Sequence, residues 1–148
     1  MGPANLVEEF LIAIEQRNFT KAEDLLSNSF RASGVAPDVL DASGFVSIQR
    51  ALGSGMPDFR FNYEFLKEKA GIVKVKFHIT GTHIESMPAP YAGLRSIPPT
   101  NKSVDMPYET VEFNVRDNKI QKMDVAHIDG GGLSGLLKQL GVELRVEA

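Results

Sequence analysis

The chain has 148 residues, 43% of them apolar and 24% charged, which fits one globular domain with its own core. A net charge of −3 and the lack of any basic run argue against nucleic acid as a partner. There is no cysteine, so disulfides and thiolate metal sites are excluded.

No apolar run approaches a membrane span, and the opening residues lack a basic segment followed by an apolar core. A single cytoplasmic domain over residues 1–148, with no membrane partner, is the expectation.

Over residues 4–17, Leu6, Val7, Phe10, Leu11 and Ile14 fall on one helical stripe, and Pro3 is tolerable near the start. Thr20 followed by Glu23 forms a capping box, which predicts a short second helix through Ala22, Leu25 and Leu26. The segment 30–40, with Gly34 and Pro37, reads as a short extended piece and a turn. Asp41 is a good N-cap for a third helix carrying Phe45, Ile48 and Leu52 on one face; Gly53, Gly55 and Pro57 end it.

Beyond Pro57 the period changes to alternation. Phe59, Phe61 and Tyr63 form the first run, and Val73, Val75, Phe77 and Ile79 the second. Val111, Phe113 and Val115 follow, then Met123 and Val125. Lys69-Ala70-Gly71 and Asp117-Asn118 are tight hairpin signals between neighbouring runs. Helices first and an antiparallel meander afterwards is α+β logic. The proline-rich stretch 84–102 is either a lid or a packed loop. Leu133 to Leu140 predicts a short apolar helix, and residues 145–148 a frayed tail.

Several motifs now stand in order: Asp41-Ala-Ser-Gly44-Phe45, Pro57-Asp58-Phe59-Arg60-Phe61, and Gly81-Thr82-His83. Ile97-Pro98-Pro99-Thr100-Asn101-Lys102 and Leu136-Leu137-Lys138-Gln139-Leu140-Gly141 complete the set. Together, over roughly residues 5–141, they resemble the SnoaL-like polyketide cyclases of the nuclear transport factor 2-like superfamily. The resemblance implies three N-terminal helices packed on a strongly curved antiparallel sheet, a cone with an apolar pocket, and a short C-terminal helix. It also implies a homodimer formed through the outer sheet face. The implied chemistry needs no metal or organic cofactor: a carboxylate near the end of the last long strand closes a ring by intramolecular aldol condensation.

In that family the motif reads Trp-Asp-x-x-Asp, with the second acid catalytic. Here Met123-Asp124-Val125-Ala126-His127 puts His127 in its place, and Asp129 corresponds to it if the strand bulges. Alternation gives both residues the parity of Met123 and Val125, so both are expected to face the pocket. Either His127 or Asp129 could be the base. The bland alternative makes Asp129 a cap and His127 a satisfied pocket histidine.

Tyr63, Phe77, Val111, Phe113 and Met123 are expected along the pocket wall. The face of Val111, Phe113 and Val115 can bury a ligand but cannot polarise an enolate. His83 is expected at the pocket mouth, or else pinning the proline loop, and Tyr91 is the candidate lid residue. His78 shares parity with Lys74, Lys76 and Thr80 on the outer face. His78 and His83 point to opposite strand faces, so no metal site is expected.

Two function classes remain open. One is a cofactor-independent cyclase or isomerase acting on a hydrophobic small molecule. The other is a non-catalytic binding or accessory protein on the same fold. Epoxide hydrolysis is a third reading, weakened by the apolar strand at 111–115.

Overall fold

The computed structural model describes residues 2–144. The tail expected at 145–148 lies outside the described residues.

Helix α1, Pro3–Glu15, starts on a proline and buries Leu6, Val7, Phe10, Leu11, Ala13 and Ile14. Helix α2, Phe19–Asp24, is capped by Asn18, whose side chain accepts from the Lys21 N–H at 3.2 Å. The cap is therefore Asn18 and not Thr20. Helix α3, Ala42–Gly55, starts as its sequence predicts: Asp41 Oδ1 accepts from the Gly44 N–H at 2.7 Å.

Between α2 and α3 runs strand β1, Leu26–Ser33, where only a short extended piece was expected. It pairs in parallel with β7 at one edge of the main sheet. The remaining strands are β2 (Glu64–Lys69), β3 (Ile72–Phe77), β4 (Thr80–Thr82), β5 (Ser103–Asp105), β6 (Glu109–Arg116) and β7 (Lys119–Val125). The five-stranded sheet has the order β1-β7-β6-β3-β2, and β4 and β5 form a separate small ladder. All of the main sheet's pairs are antiparallel except β1 with β7, so the sheet is mixed rather than a pure meander.

The first sheet strand is not the expected Phe59–Tyr63 run. Phe59 and Phe61 are buried without joining the main sheet, held by the isolated bridge from Arg60 to Thr80. Their rings lie edge to face with centroids 5.1 Å apart. The alternation there reports burial on one side and not strand pairing. Both predicted hairpins are present. Ala70 and Gly71 have φ of 53° and 82°, and Asp117 and Asn118 have 55° and 59°, as tight primed turns require.

The core forms where α1 and α3 cover the inner face of the sheet. Phe10 stacks against Phe45 at 6.0 Å and meets Phe113 edge-on at 6.3 Å. Burying each such ring is worth about 1.5–3 kcal/mol. The opposite face is charged, with cross-strand pairs Lys74–Glu112 at 4.0 Å and Lys76–Glu64 at 3.9 Å.

The proline-rich stretch is a packed loop. Met87 is fully buried, its backbone bridged to Ile97, and it fits because Gly55 has no side chain. A Cβ at Gly55 would lie 2.7 Å from Met87 Cβ. Helix α4, Gly132–Gln139, ends the described chain. Its Gln139 amide bonds the Asp105 backbone at both N–H and carbonyl, 2.8 and 3.0 Å. That ties α4 to β5. No helix among the described residues is long and apolar enough to cross a membrane.

Candidate functional site

Strand alternation sends Glu109, Val111 and Phe113 of β6 inward, while Thr110, Glu112 and Asn114 face solvent. Glu109 is thus a carboxyl at a core position, only 4% exposed. It lines a cavity of about 50 Å³ between α3, the sheet and α4. Val35, Ile79, Val125 and Gly132 are the partly exposed members of its wall.

Apart from Glu109, the wall has one polar side chain among the described residues, Gln49. Helix α3 buries Phe45, Ile48, Gln49 and Leu52 on a single stripe, so the amide takes a core position by helical geometry. Gln49 is 6% exposed, and its Oε1 is buried without a hydrogen-bond partner. No Lys, Arg or His among the described residues lines the cavity.

Glu109 Oε2 accepts a hydrogen bond of 3.0 Å from the backbone N–H of Gly132, the first residue of α4. The helix has no side-chain cap of its own at Gly131, and the carboxyl supplies one from across the sheet. Glycines make the approach possible. Gly130 and Gly132 have φ of 80° and 69°, and a Cβ at Gly131 would lie 2.6 Å from Ile128 Cγ2 and 3.1 Å from Glu109 Oε2. Burial pushes the Glu109 carboxyl up from its ordinary 4.5, and the Gly132 bond opposes this without cancelling it. A carboxyl so placed can hold a proton and return it in a water-poor space.

The expected catalytic pair lies elsewhere. Strand β7 ends at Val125, and after the bond from the Ala126 N–H to the Thr110 carbonyl at 2.9 Å the chain leaves the sheet. His127 and Asp129 are fully exposed and 3.8 Å apart at Nε2 and Oδ1. Parity holds only while the strand lasts, so the placement of both in the pocket is overturned.

The expected wall residues divide. Phe77 and Met123 line the cavity. Val111 and Phe113 do not; both are fully buried, and Phe113 lies between Phe10 and Phe77, 6.3 Å from each ring. They are core. Tyr63 is also off the wall: its hydroxyl donates to Glu8 at 3.0 Å on α1. Burial and the Glu8 carboxylate push the Tyr63 phenol up to about 12.

His83 is wholly buried away from the cavity. Its Nδ1 accepts from the Thr100 N–H at 3.2 Å, and its backbone bonds Lys102 and Asn101. It pins the proline loop. Tyr91, the expected lid residue, donates its hydroxyl to Asp38 and accepts from the Asp38 N–H at 3.3 Å, fastening the same loop to the segment after β1. His78 contacts Asp105 at 2.5 Å on the outer side. No group of three metal-ligating side chains occurs among the described residues.

No family model matches the sequence, and no curated protein does. Solved structures do. IdmH from Streptomyces antibioticus, a candidate polyketide cyclase, superimposes with a TM-score of 0.68 at 18% identity, over 96% of this chain and 100% of its own. A SnoaL-like polyketide cyclase from Agrobacterium tumefaciens gives 0.63 at 17%, over 85% and 91%. The chain has the SnoaL-like fold. An NTF2-like protein of unknown function from Cytophaga hutchinsonii gives 0.52 at 16%, over 85% and 89%, so the same fold also hosts chains with no assigned chemistry.

Within this SnoaL-like fold, Glu109 and Gln49 are the residues that sequence reasoning missed. Both had a signal. Glu109 stands two before Val111 and extends its parity inward. Gln49 stands four after Phe45, a polar residue on an apolar stripe.

Proposed function

We propose that the cavity receives a hydrophobic small molecule and that Glu109 exchanges a proton with it, without metal or organic cofactor. The carboxylate takes a proton from carbon beside a ligand carbonyl, leaving an enol or enolate. The resulting acid returns the proton at another atom, which is isomerisation, or the enolate carbon attacks a second carbonyl of the same molecule and the alkoxide formed as that C=O π bond breaks takes the proton from Glu109, which is aldol cyclisation. The observation that carries this is a 4%-exposed carboxyl on a wall that is apolar apart from Gln49. The polyketide cyclase names of the structural neighbours agree with the reaction type.

At about 50 Å³ the cavity is far below the roughly 300–1,000 Å³ of sites that enclose drug-sized ligands. Binding therefore includes side-chain movement, for which the flexible Met106 and Met123 on the wall are suited. The resemblance adds a strongly curved sheet and a homodimer through the charged outer face, and the lack of cysteine suits a cytoplasmic setting. Sedimentation equilibrium checks the dimer, and a monomer at all concentrations would remove it.

A second reading, non-catalytic binding in the same cavity, is favoured by one fact: Glu109 already serves as the cap of α4. Isotope exchange decides between them. In heavy water the protein should accelerate α-proton exchange of a small neutral ketone such as cyclohexanone. Glu109→Gln should abolish this, while His127→Ala and Asp129→Asn should not. Exchange that survives Glu109→Gln would reject the assignment. A ketone that binds without exchanging would leave the binding reading.

A further inference from the structure

Among the described residues, Gln49 is the one wall residue whose polar atom is both buried and unmatched. Its Oε1 has no donor, although the residue is 94% withdrawn from solvent by its 6% exposure. Around it the wall is hydrocarbon, from rings such as Phe61 and Phe77 to the thioethers of Met106 and Met123. An acceptor stranded there costs free energy until something donates to it. Glu109 does not, since its one hydrogen bond runs to Gly132. Because Gln49 lines the cavity, a molecule bound there is placed to supply the donor.

The wall also limits charge. A carboxylate ligand would meet no Lys, Arg or His among the described residues. An ammonium ligand would give up its hydration against a largely apolar wall whose one carboxyl is already bonded to Gly132. Apolar surface, one unpartnered acceptor and the cost of desolvating a charge describe a neutral guest with a hydroxyl or enol O–H.

We infer that Gln49 sets the ligand specificity of the cavity by selecting an uncharged, mainly apolar molecule whose hydroxyl donates to Gln49 Oε1. This rests on the reading of the cavity as a binding site. It goes beyond that reading by naming the recognising atom and the functional group recognised.

The test uses methionine labelled with ¹³C at its methyl, because Met106 and Met123 both face the cavity. Toluene and phenol, nearly equal in shape, are titrated into the full chain, with benzoate and benzylamine as charged counterparts. Phenol is expected to shift both methyl signals with about tenfold higher affinity than toluene, the worth of one buried hydrogen bond. The charged probes should shift neither. In Gln49→Leu, and in the closer isostere Gln49→Met should the first not fold, the affinity ratio should fall to about one. Equal binding of phenol and toluene by the unmodified chain would overturn the inference, as would a preference that persists in both variants or tight binding of benzylamine. Each of these leaves the cavity a binding site. If no probe moves Met106 or Met123, the binding reading fails as well, and this inference with it.

Discussion

Glu109 on β6 and Gly132 at the start of α4 stand 23 residues apart in sequence and are joined by a single hydrogen bond of 3.0 Å. That bond places a carboxyl between two opposed influences. Burial resists its ionisation, and the N–H at the helix start favours it. Burial wins, and stability should depend on pH accordingly. A folded-state value raised above 4.5 means the native state holds the proton more tightly than the unfolded chain. The associated stability is fully present below 4.5 and lost as pH rises through the folded value. Urea melts across that window should show the decline in the unmodified chain. Glu109→Gln should lack this component.

Gly135 tests the turn that aims Gly132 at the carboxyl. A Cβ there would lie 1.9 Å from the Gly130 carbonyl oxygen, so Gly135→Ala must move the loop or the helix. The expected cost is roughly 1–3 kcal/mol, seen as a lower melting midpoint. Because the Gly132 bond is what lowers the Glu109 value, loosening it should raise that value further.

Phe113 separates core from binding wall. It is fully buried between Phe10 and Phe77 and does not line the cavity. Phe113→Ala should cost about 3–5 kcal/mol in chemical denaturation. Phe113→Leu should keep the fold and leave the relative affinities of phenol and toluene unchanged.

The exposed pair His127 and Asp129 should be silent. At 3.8 Å in full solvent, their attraction is screened and offset by side-chain entropy. His127→Ala with Asp129→Asn is expected to leave the melting midpoint and any ketone exchange where they were. A loss of exchange in that double variant would return the chemistry to the end of β7.

The sequence carried most of the helices, because Asp41 is a cap and the Leu6–Ile14 stripe has helical period. It also carried both tight hairpins, because Ala70-Gly71 and Asp117-Asn118 take positive φ. Strand β1 was not legible. Ser27, Asn28 and Ser29 break its apolar pattern, and it is held by a parallel partner 94 residues away, as Leu26 to Ile120 shows. The site was misplaced for a related reason. Alternation was carried two and four residues past Val125, where no ladder remained to enforce it. The same alternation, followed backwards from Val111, reaches Glu109, which the ladder with β3 does enforce through its pairing with Phe77.

The proposed chemistry depends on a carboxyl that binds a proton more tightly than an ordinary glutamate because it is shut away from water. Its most direct test is a pH titration of ¹³C-carboxyl-labelled glutamate by NMR, with Glu109→Gln identifying the signal. The Glu109 resonance should titrate above 4.5. A midpoint at or below 4.5 would contradict it.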